Sequence, residues 1–591
     1  MYKRIVSLYP AATETLVALG VHNKIVGITI HDRSITKLFS TPVVGDYMYQ
    51  NPNSIMELNP DCVILVPDQS KIRQILFKKG IKIIVLDAKN LSDAPIQIRE
   101  LGRLVNKEEK AEEIIAEQEE FISLVKRKMQ KLALNKNFKP YRTIRVMEFG
   151  RDKLLVPGDD SFQNEIIKNA GGTPPIFNKN GQFAEISGSD WQKFNPEVIY
   201  ACYFEKESVF QRLKDKPFGN VNALKKGRYY TFSCDLTCRA GCHYGFFSFL
   251  LANTMYAKLF IKEENQIHKD CLKAYKNLDI NLNYTGEAVL CDTYFLDCKS
   301  KSLILRFKTP QNILSSLYGW KNNQEAITNH SVFEESWPLL DALGEKNVNK
   351  RFAKMLNLDL KKVCCLYTGV NNANYALVRI EDDGIEVFAI VTAGVLSNAM
   401  RAVEDSGDCT EIGTINIIIL TNRKMDKAAM TQCLIRTTEA KVAALEDLDI
   451  RSNFSYLPAT GTGTDNVVIV SGEGKVAKMA GGHTKLGELV SKAVYKGVIE
   501  AIQKQNGIYK DRSVLSRLKE RGIVLPKPLQ DEESHRHAFL QEKIITNGED
   551  EKKIRNALIL DDAYRRGFLS GYNQSPLKKT LNDLEAKIKS S

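Results

Sequence analysis

Arg4-Ile-Val-Ser-Leu-Tyr-Pro-Ala-Ala-Thr-Glu-Thr-Leu-Val-Ala-Leu-Gly20 opens on a short apolar strand pattern at 4–8 and passes into a helical one. The same alternation recurs with strands at 25–30, 62–66 and 83–86. Strands alternating with helices argue an α/β lobe built on a mainly parallel sheet. One amphipathic helix is expected next, over about 92–131, with Ile114, Phe121, Val125 and Met129 at helical spacing on one face. A second α/β set then runs from 143 to about 260, with strands near 144–149, 198–201 and 229–232. Two lobes, at about 1–90 and 142–260, joined by one stiff helix make a cleft.

The second half is punctuated differently. Between residues 392 and 488 lie four glycine- and asparagine-marked loops: Thr392-Ala-Gly-Val-Leu-Ser-Asn398, Gly413-Thr-Ile-Asn416, Ala459-Thr-Gly-Thr-Gly-Thr-Asp465 and Gly481-Gly-His-Thr-Lys-Leu-Gly487. Glycine loses the most backbone entropy on folding, so such loops are costly. They flank apolar strand-like runs at 388–391, 415–420 and 467–470. Loops held by rigid strands are how catalytic and binding residues are usually mounted.

At 591 residues the chain exceeds the size at which one core stops growing, so two or three domains are expected. Its 43% hydrophobic and 26% charged residues fit ordinary globular protein, and no apolar run is long enough to span a bilayer. A net charge of +12 is mild at this length, and Lys and Arg are scattered among Asp and Glu, so no nucleic-acid partner is expected. Twelve cysteines show no disulfide-framework spacing and read as mostly reduced and buried. Residues 1–9 carry no secretory pattern, which makes the cytoplasm the expected location.

Taken in order, and with Thr438-Glu-Ala-Lys-Val-Ala-Ala-Leu445, the four loops resemble the adenosylcobinamide amidohydrolase family over roughly 285–505. The resemblance implies hydrolysis of the amide joining aminopropanol to a corrin side chain, giving adenosylcobyric acid; no required cofactor is assigned, and metal-assisted attack is an open alternative. Such an amide needs a base, donors for the oxyanion and an acid for the leaving amine. Asp465, just before the strand at 466–471, is the first choice for the base, and His483 is the partner base or leaving-group acid because histidine titrates near neutral pH. Lys485 offers a cation to the oxyanion, while Asn398 and Asn416 are neutral donors for a carbonyl oxygen or corrin amides. Arg401 and Glu439 read as an ion-paired scaffold. Thr462 and Thr464 line the substrate, and Thr460, Thr462 or Thr464 is an alternative nucleophile to base-activated water. No Gly-x-Ser-x-Gly elbow or His-Glu-x-x-His zinc signature is present.

The opening stretch, with Pro42-Val-Val-Gly-Asp-Tyr47, Leu58-Asn-Pro-Asp61 and the run from Val156 to Gly172, resembles the cobalamin, haem and siderophore class of substrate-binding proteins over residues 1–260. That resemblance implies a corrinoid between the lobes, against Tyr9, Thr13, His31 and Tyr47, with Tyr47 packing on the macrocycle or serving as an ordinary tyrosine. Arg239 and His243 lie on a loop expected to face the cleft. His243 is a candidate axial ligand to cobalt. Cys234, Cys238 and Cys242 recur every fourth residue and read either as small buried thiols or as ligands for a soft metal. The glutamates that relatives use to dock on an importer are replaced by Asn53 and Ser189, so importer docking is not expected.

The expected architecture is therefore α/β throughout. A two-lobed substrate-binding fold with a long inter-lobe helix (1–260) is followed by a linker (261–284), a separate α/β amidohydrolase domain (285–505) and a helical tail (506–591). Within the tail, 525–529 reads as a linker and 554–569 as an amphipathic helix. The partner expected is adenosylcobinamide or a related cobalt corrinoid; a carrier or sensor that binds without cutting is the alternative.

Overall fold

The computed structural model describes residues 2–32, 35, 38, 41–149, 153–202, 213, 218–407, 413–521, 548–565, 577 and 579–583. The chain divides into two compact units, Met1–Asn265 with Val524–Ser591, and Gln266–Ile523. The linker expected at 525–529 lies outside the described residues.

In the first unit the strands Ile5–Ser7, Ile25–Gly27, Cys62–Leu65 and Lys82–Val85 pair in parallel, with Ile5–Ser7 and Cys62–Leu65 at the centre. Cys62–Leu65 is buried at every position, as a strand covered on both faces must be. The second lobe has its own parallel trio, Thr143–Arg145, Val198–Cys202 and Tyr229–Phe232, and an antiparallel set, Glu148–Phe149, Lys153–Val156 and Ala184–Ser187.

The single helix expected over 92–131 is two helices, Asp93–Val105 and Glu108–Ala133. Asn106 between them adopts φ 56, the left-handed conformation that ends a helix, and asparagine tolerates it better than most side chains. Glu108–Ala133 spans about 39 Å at 1.5 Å per residue. Its buried Gln118 accepts hydrogen bonds from the Gly245 and Phe246 amides at 3.1 and 2.9 Å, capping the helix Tyr244–Phe260. A Cβ on Gly245 would stand 2.0 Å from the Gln118 carbonyl oxygen, so this crossing requires glycine.

The second unit is built on a nine-stranded sheet. Its main path runs Cys271–Asn277, Thr285–Phe295, Cys298–Ser315, Asn466–Val470, Ile415–Thr421, Ile385–Ala393, Ala376–Asp382. Gly319–Ser331 pairs with Cys298–Ser315 and with Val363–Thr368. Cys271–Asn277, inside the stretch read as a linker, is thus the edge strand of this sheet. Side chains alternate across the central strands. Ile417, Ile419, Val467 and Ile469 face one core with the helices Lys427–Asp447 and Lys485–Asn506. Ile418, Leu420, Val468 and Val470 face a second core with Leu303, Ile327 and Leu366. The sheet is buried on both sides, which is why these strands read as unbroken apolar runs.

Beyond the helix Lys485–Asn506 the chain folds back in a short helix, Val514–Lys519. Arg517 within it and Arg521 just beyond it close on Asp449, just past the end of Lys427–Asp447. In the tail a helix covers Gly548–Arg565.

Candidate active site

Strand pairing gathers three of the four loops at one end of the second unit's sheet. Thr392 pairs with Asn416, and Asn416 with Asn466. The loops leaving or entering these positions, Gly394–Asn398, Gly413–Thr414 and Ala459–Asp465, therefore meet.

Asp465 is the hub. Its Oδ1 accepts the Ile415 amide at 3.1 Å and the Thr462 hydroxyl, and its Oδ2 accepts the Thr462 amide at 3.1 Å and the Lys441 ammonium. The two side chains of the ion pair are 13% and 10% exposed. Four donors occupy the four lone-pair positions of a carboxylate. A water could reach Asp465 only by displacing one of them. Gly461 lies against this pair: a Cβ there would meet Asp465 Oδ2 at 2.4 Å and Lys441 Nζ at 2.7 Å. The glycine-threonine loop is thus glycine because the ion pair lies beneath it.

Asn398 is 1% exposed and donates from Nδ2 to the Gly413 carbonyl at 2.9 Å. Its Oδ1 is buried without a partner, and a Cβ on Gly463 would stand 2.9 Å from that oxygen. The sequence casts Asn398 as a donor, but its amide hydrogens face the loop carbonyl and its open atom is an acceptor. Asn416 is committed on all sides. Nδ2 donates to Asn329 Oδ1 and the Tyr367 carbonyl, both at 2.9 Å, and Oδ1 accepts from Asn466 Nδ2 at 3.3 Å. Asn329 in turn donates to Thr392 Oγ1 at 2.9 Å and Asn372 Oδ1 at 3.2 Å. A buried chain of asparagines ties four strand ends together. Thr464 Oγ1 donates to the Gly413 carbonyl at 2.9 Å, and its residue is exposed.

His483 and Lys485 are elsewhere. Lys485 pairs with Asp382 at 3.1 Å and Glu488 at 3.0 Å, and these contacts, that of Glu488 first, raise its pKa. Asp382 sits at the opposite end of the strand pair from Thr392. Asn506, at the far end of the same helix, accepts the Val395 amide at 3.0 Å. The 22-residue helix separates the two ends by about 33 Å. His483 is exposed at the Lys485 end. Glu439 pairs with Arg436 rather than Arg401, whose guanidinium donates to the Pro458 carbonyl at 2.8 Å.

Sequence reading passed over Lys441. Its signal is a lysine on the apolar face of a helix, in register with Cys433, Thr437, Ala440 and Ala444, all buried. Around the loops, Leu396, Val403 and Tyr456 are 47, 101 and 39% exposed. The loops that carry them are tied together, Asn453 to the Leu396 carbonyl at 2.6 Å and Ser452 to Asp405 at 2.6 Å. Val403 also holds φ 82, rare for a β-branched residue and concentrated at functional sites.

In the first unit, Tyr9 is largely buried, and burial with the neighbouring Tyr47 and Asp87 pushes its phenol up to about 12. Tyr47 is 37% exposed beside Met48 at 74%, and Gln69 Nε2 holds the Tyr47 carbonyl at 3.1 Å. Thr13 is fully buried and donates to Ser7 Oγ at 2.8 Å, so its hydroxyl serves the fold. His31 is exposed on the short turn Ile30–Asp32. His243 sits at the N-cap of Tyr244–Phe260, where burial lowers its pKa. Cys242 is buried, its thiol pushed up to about 12 by burial.

Arg239 forms a mostly buried ion pair with Glu14, joining the second lobe to the helix Pro10–Ala18. Burial nevertheless raises the Glu14 carboxyl from 4.5 to about 7, more than Arg239 lowers it. Between those values native Glu14 holds a proton that the unfolded chain releases, so the native state is favoured toward pH 5 and loses stability as pH rises through 7. The expected change is on the order of 2–3 kcal/mol. Thermal melts between pH 5 and 8 should show it, and Glu14→Gln should flatten it.

Residues 288–510 match the family described as adenosylcobinamide amidohydrolase, and residues 5–235 match periplasmic binding protein. An uncharacterised protein of Methanocaldococcus jannaschii is 36% identical over 229 residues, 36% of this chain and 89% of that protein. The adenosylcobinamide amidohydrolase of Methanosarcina mazei is 33% identical over 147 residues, 22% of this chain and 62% of that one. A vitamin B12-binding protein of Pectobacterium atrosepticum is 22% identical over 199 residues, 33% and 70% of the two chains. The chain belongs to the adenosylcobinamide amidohydrolase family, fused behind a binding-protein domain of the two-lobed α/β kind. No described helix is long and apolar enough to cross a membrane.

Proposed function

We propose that this chain salvages corrinoids in the cytoplasm: the first unit binds the corrinoid, and the second hydrolyses the aminopropanol amide of adenosylcobinamide to adenosylcobyric acid. The observation that carries the chemistry is the line Lys441–Asp465–Thr462 against Gly461, where any side chain would collide with the ion pair. Of the four donors on Asp465, two are amides and one is an ammonium. With Lys441 held as an ammonium by its ion pair with Asp465, the Thr462 hydroxyl is the donor left to act as nucleophile when its proton leaves. In this reading Thr462 Oγ attacks the amide carbon and its proton passes to Asp465. The C–N bond then breaks, aminopropanol leaves with that proton, and water hydrolyses the ester to free the acid and restore Thr462. Lys441 holds Asp465 and offsets the charge of the oxyanion. Asn398 Oδ1, buried and unpartnered, suits a substrate N–H. The exposed Leu396, Val403 and Tyr456 suit the apolar face of a macrocycle.

In the first unit, exposed Tyr47 and Met48 offer the surface that a flat macrocycle buries. No two of the described cysteines are joined in a disulfide, which fits a reducing compartment. The test is to incubate the purified chain with adenosylcobinamide, with and without a chelator, and to follow adenosylcobyric acid and aminopropanol by mass spectrometry. Product in both samples is expected. Bound corrinoid without product would make the protein a carrier, and product lost with chelator would bring a metal into the reaction.

A further inference from the structure

Every fourth residue from Cys234 to Cys242 is cysteine, yet the fold does not bring those three together. The parallel pair Val198–Cys202 and Tyr229–Phe232 sets Cys202 directly beside Phe232. After Ser233 the chain makes one helical turn, Cys234–Thr237, ending at Cys238. Cys234 and Cys238, four residues apart on a helical turn, face the same way. The sulfur atoms of Cys202, Cys234 and Cys238 lie within 4.8 Å of one another, whereas Cys242 is buried apart from them.

We propose that Cys202, Cys234 and Cys238 form a three-thiolate site for a single soft cation of the Zn2+ type, with its fourth coordination position open. A tetrahedral zinc with Zn–S bonds of about 2.3 Å sets its sulfurs about 3.8 Å apart, a spacing these side chains reach with small rotamer adjustments. Access exists, because Cys238 is exposed and Cys202 and Cys234 are half-buried. Charge balance is built in. Three thiolates and a divalent ion leave one negative charge, and Arg145, 2% exposed, places Nη2 3.1 Å from Cys238 Sγ while Nη1 donates to the Thr237 carbonyl. Among the described residues no carboxylate pairs with this buried guanidinium, and its Nε has no partner. A buried cation needs a compensating anion, and the thiolates are the groups in place to supply it. The position also fits: ligands of open parallel sheets bind beyond the carboxyl ends of the strands, where Cys202 and the turn after Phe232 lie. Cys202, the residue that completes the set, is 32 positions from Cys234 in sequence and has no spacing signal.

The experiment uses the full chain, reduced and freed of metal, titrated with Co2+ and then Zn2+. The expected result is one Co2+ per chain with a sulfur-to-cobalt charge-transfer band and tetrahedral visible bands, displaced by Zn2+. Cys202→Ser and Cys238→Ser should each weaken binding at least tenfold, and Cys242→Ser should leave it unchanged. As a check that needs no variant, Zn2+ should protect Cys202, Cys234 and Cys238 of the wild-type chain from alkylation, read by peptide mass spectrometry, and leave Cys271, exposed among the described residues, reactive. Absence of the thiolate band, equal affinity in Cys202→Ser, or alkylation of all three cysteines with Zn2+ present would overturn the site.

Discussion

Lys441→Met is expected to lower turnover of adenosylcobinamide by a factor on the order of 10²–10³ in a chain that remains folded. Methionine fills the space of the lysine stem and removes its charge. Asp465 would keep three donors, the Ile415 and Thr462 amides and the Thr462 hydroxyl, so the Gly461–Asp465 loop should hold its shape. What is lost is the ammonium that fixes the carboxylate and offsets the oxyanion. Lys441→Arg should not rescue, because Gly461 packs against Nζ and leaves no room for a guanidinium. Asp465→Asn should lose at least as much, since a neutral amide cannot take the proton from Thr462. Initial rates at saturating substrate, with circular dichroism as the folding control, decide the matter; a Lys441→Met rate within threefold of wild type would remove the lysine from the mechanism.

Asp449→Asn is expected to destabilise the second unit by on the order of 3–5 kcal/mol, because it leaves a buried cluster of like charges uncompensated. Asp449 takes φ 54 just past the helix Lys427–Asp447, and Arg451, Arg517 and Arg521 converge on its carboxylate. Burial alone would raise this carboxyl, but Arg521, Arg451 and Arg517 outweigh it and hold it below the usual range. The contribution is therefore present above about pH 4 and is lost as pH falls. Arg512 also donates to the Leu448 and Asp449 carbonyls at 2.7 and 2.8 Å, closing the helix end, and pairs with Glu520. Three of these four arginines lie beyond residue 510, where the family match ends. Urea unfolding of Asp449→Asn and of a chain cut after residue 510 should show similar losses, and a native-like midpoint in either would make the cluster incidental.

The strands at 5–7, 62–65, 198–202, 415–421 and 466–470 were legible because each is an apolar run, and the loops at 392–398, 413–416 and 459–465 because glycine and asparagine mark sharp turns; Cys271–Asn277 is exposed along most of its length and reads as linker. The break at Asn106 was hidden by apolar spacing that continues on both sides of it, and only the left-handed backbone there reveals two helices. Within the site, sequence proximity misled in one direction and distance in the other. His483 and Lys485 belong to the same block of motifs as Asp465, but a helix about 33 Å long carries them to the opposite end of the sheet. Lys441 was missed because lysine on a helix is ordinarily solvent-facing, and its burial becomes visible only once the Gly461 loop is laid over it. The asparagine chain from Asn466 to Asn372 joins residues from distant strands and carries no local pattern at all.

The most direct measurement compares Thr462→Val and His483→Ala side by side at one adenosylcobinamide concentration, following adenosylcobyric acid by mass spectrometry. Thr462→Val, which keeps the shape and removes the hydroxyl, should lose hydrolysis, and His483→Ala should cleave at close to the wild-type rate. Retained cleavage by Thr462→Val together with its loss in His483→Ala would rule out Thr462 as the nucleophile and move the chemistry to the other end of the sheet.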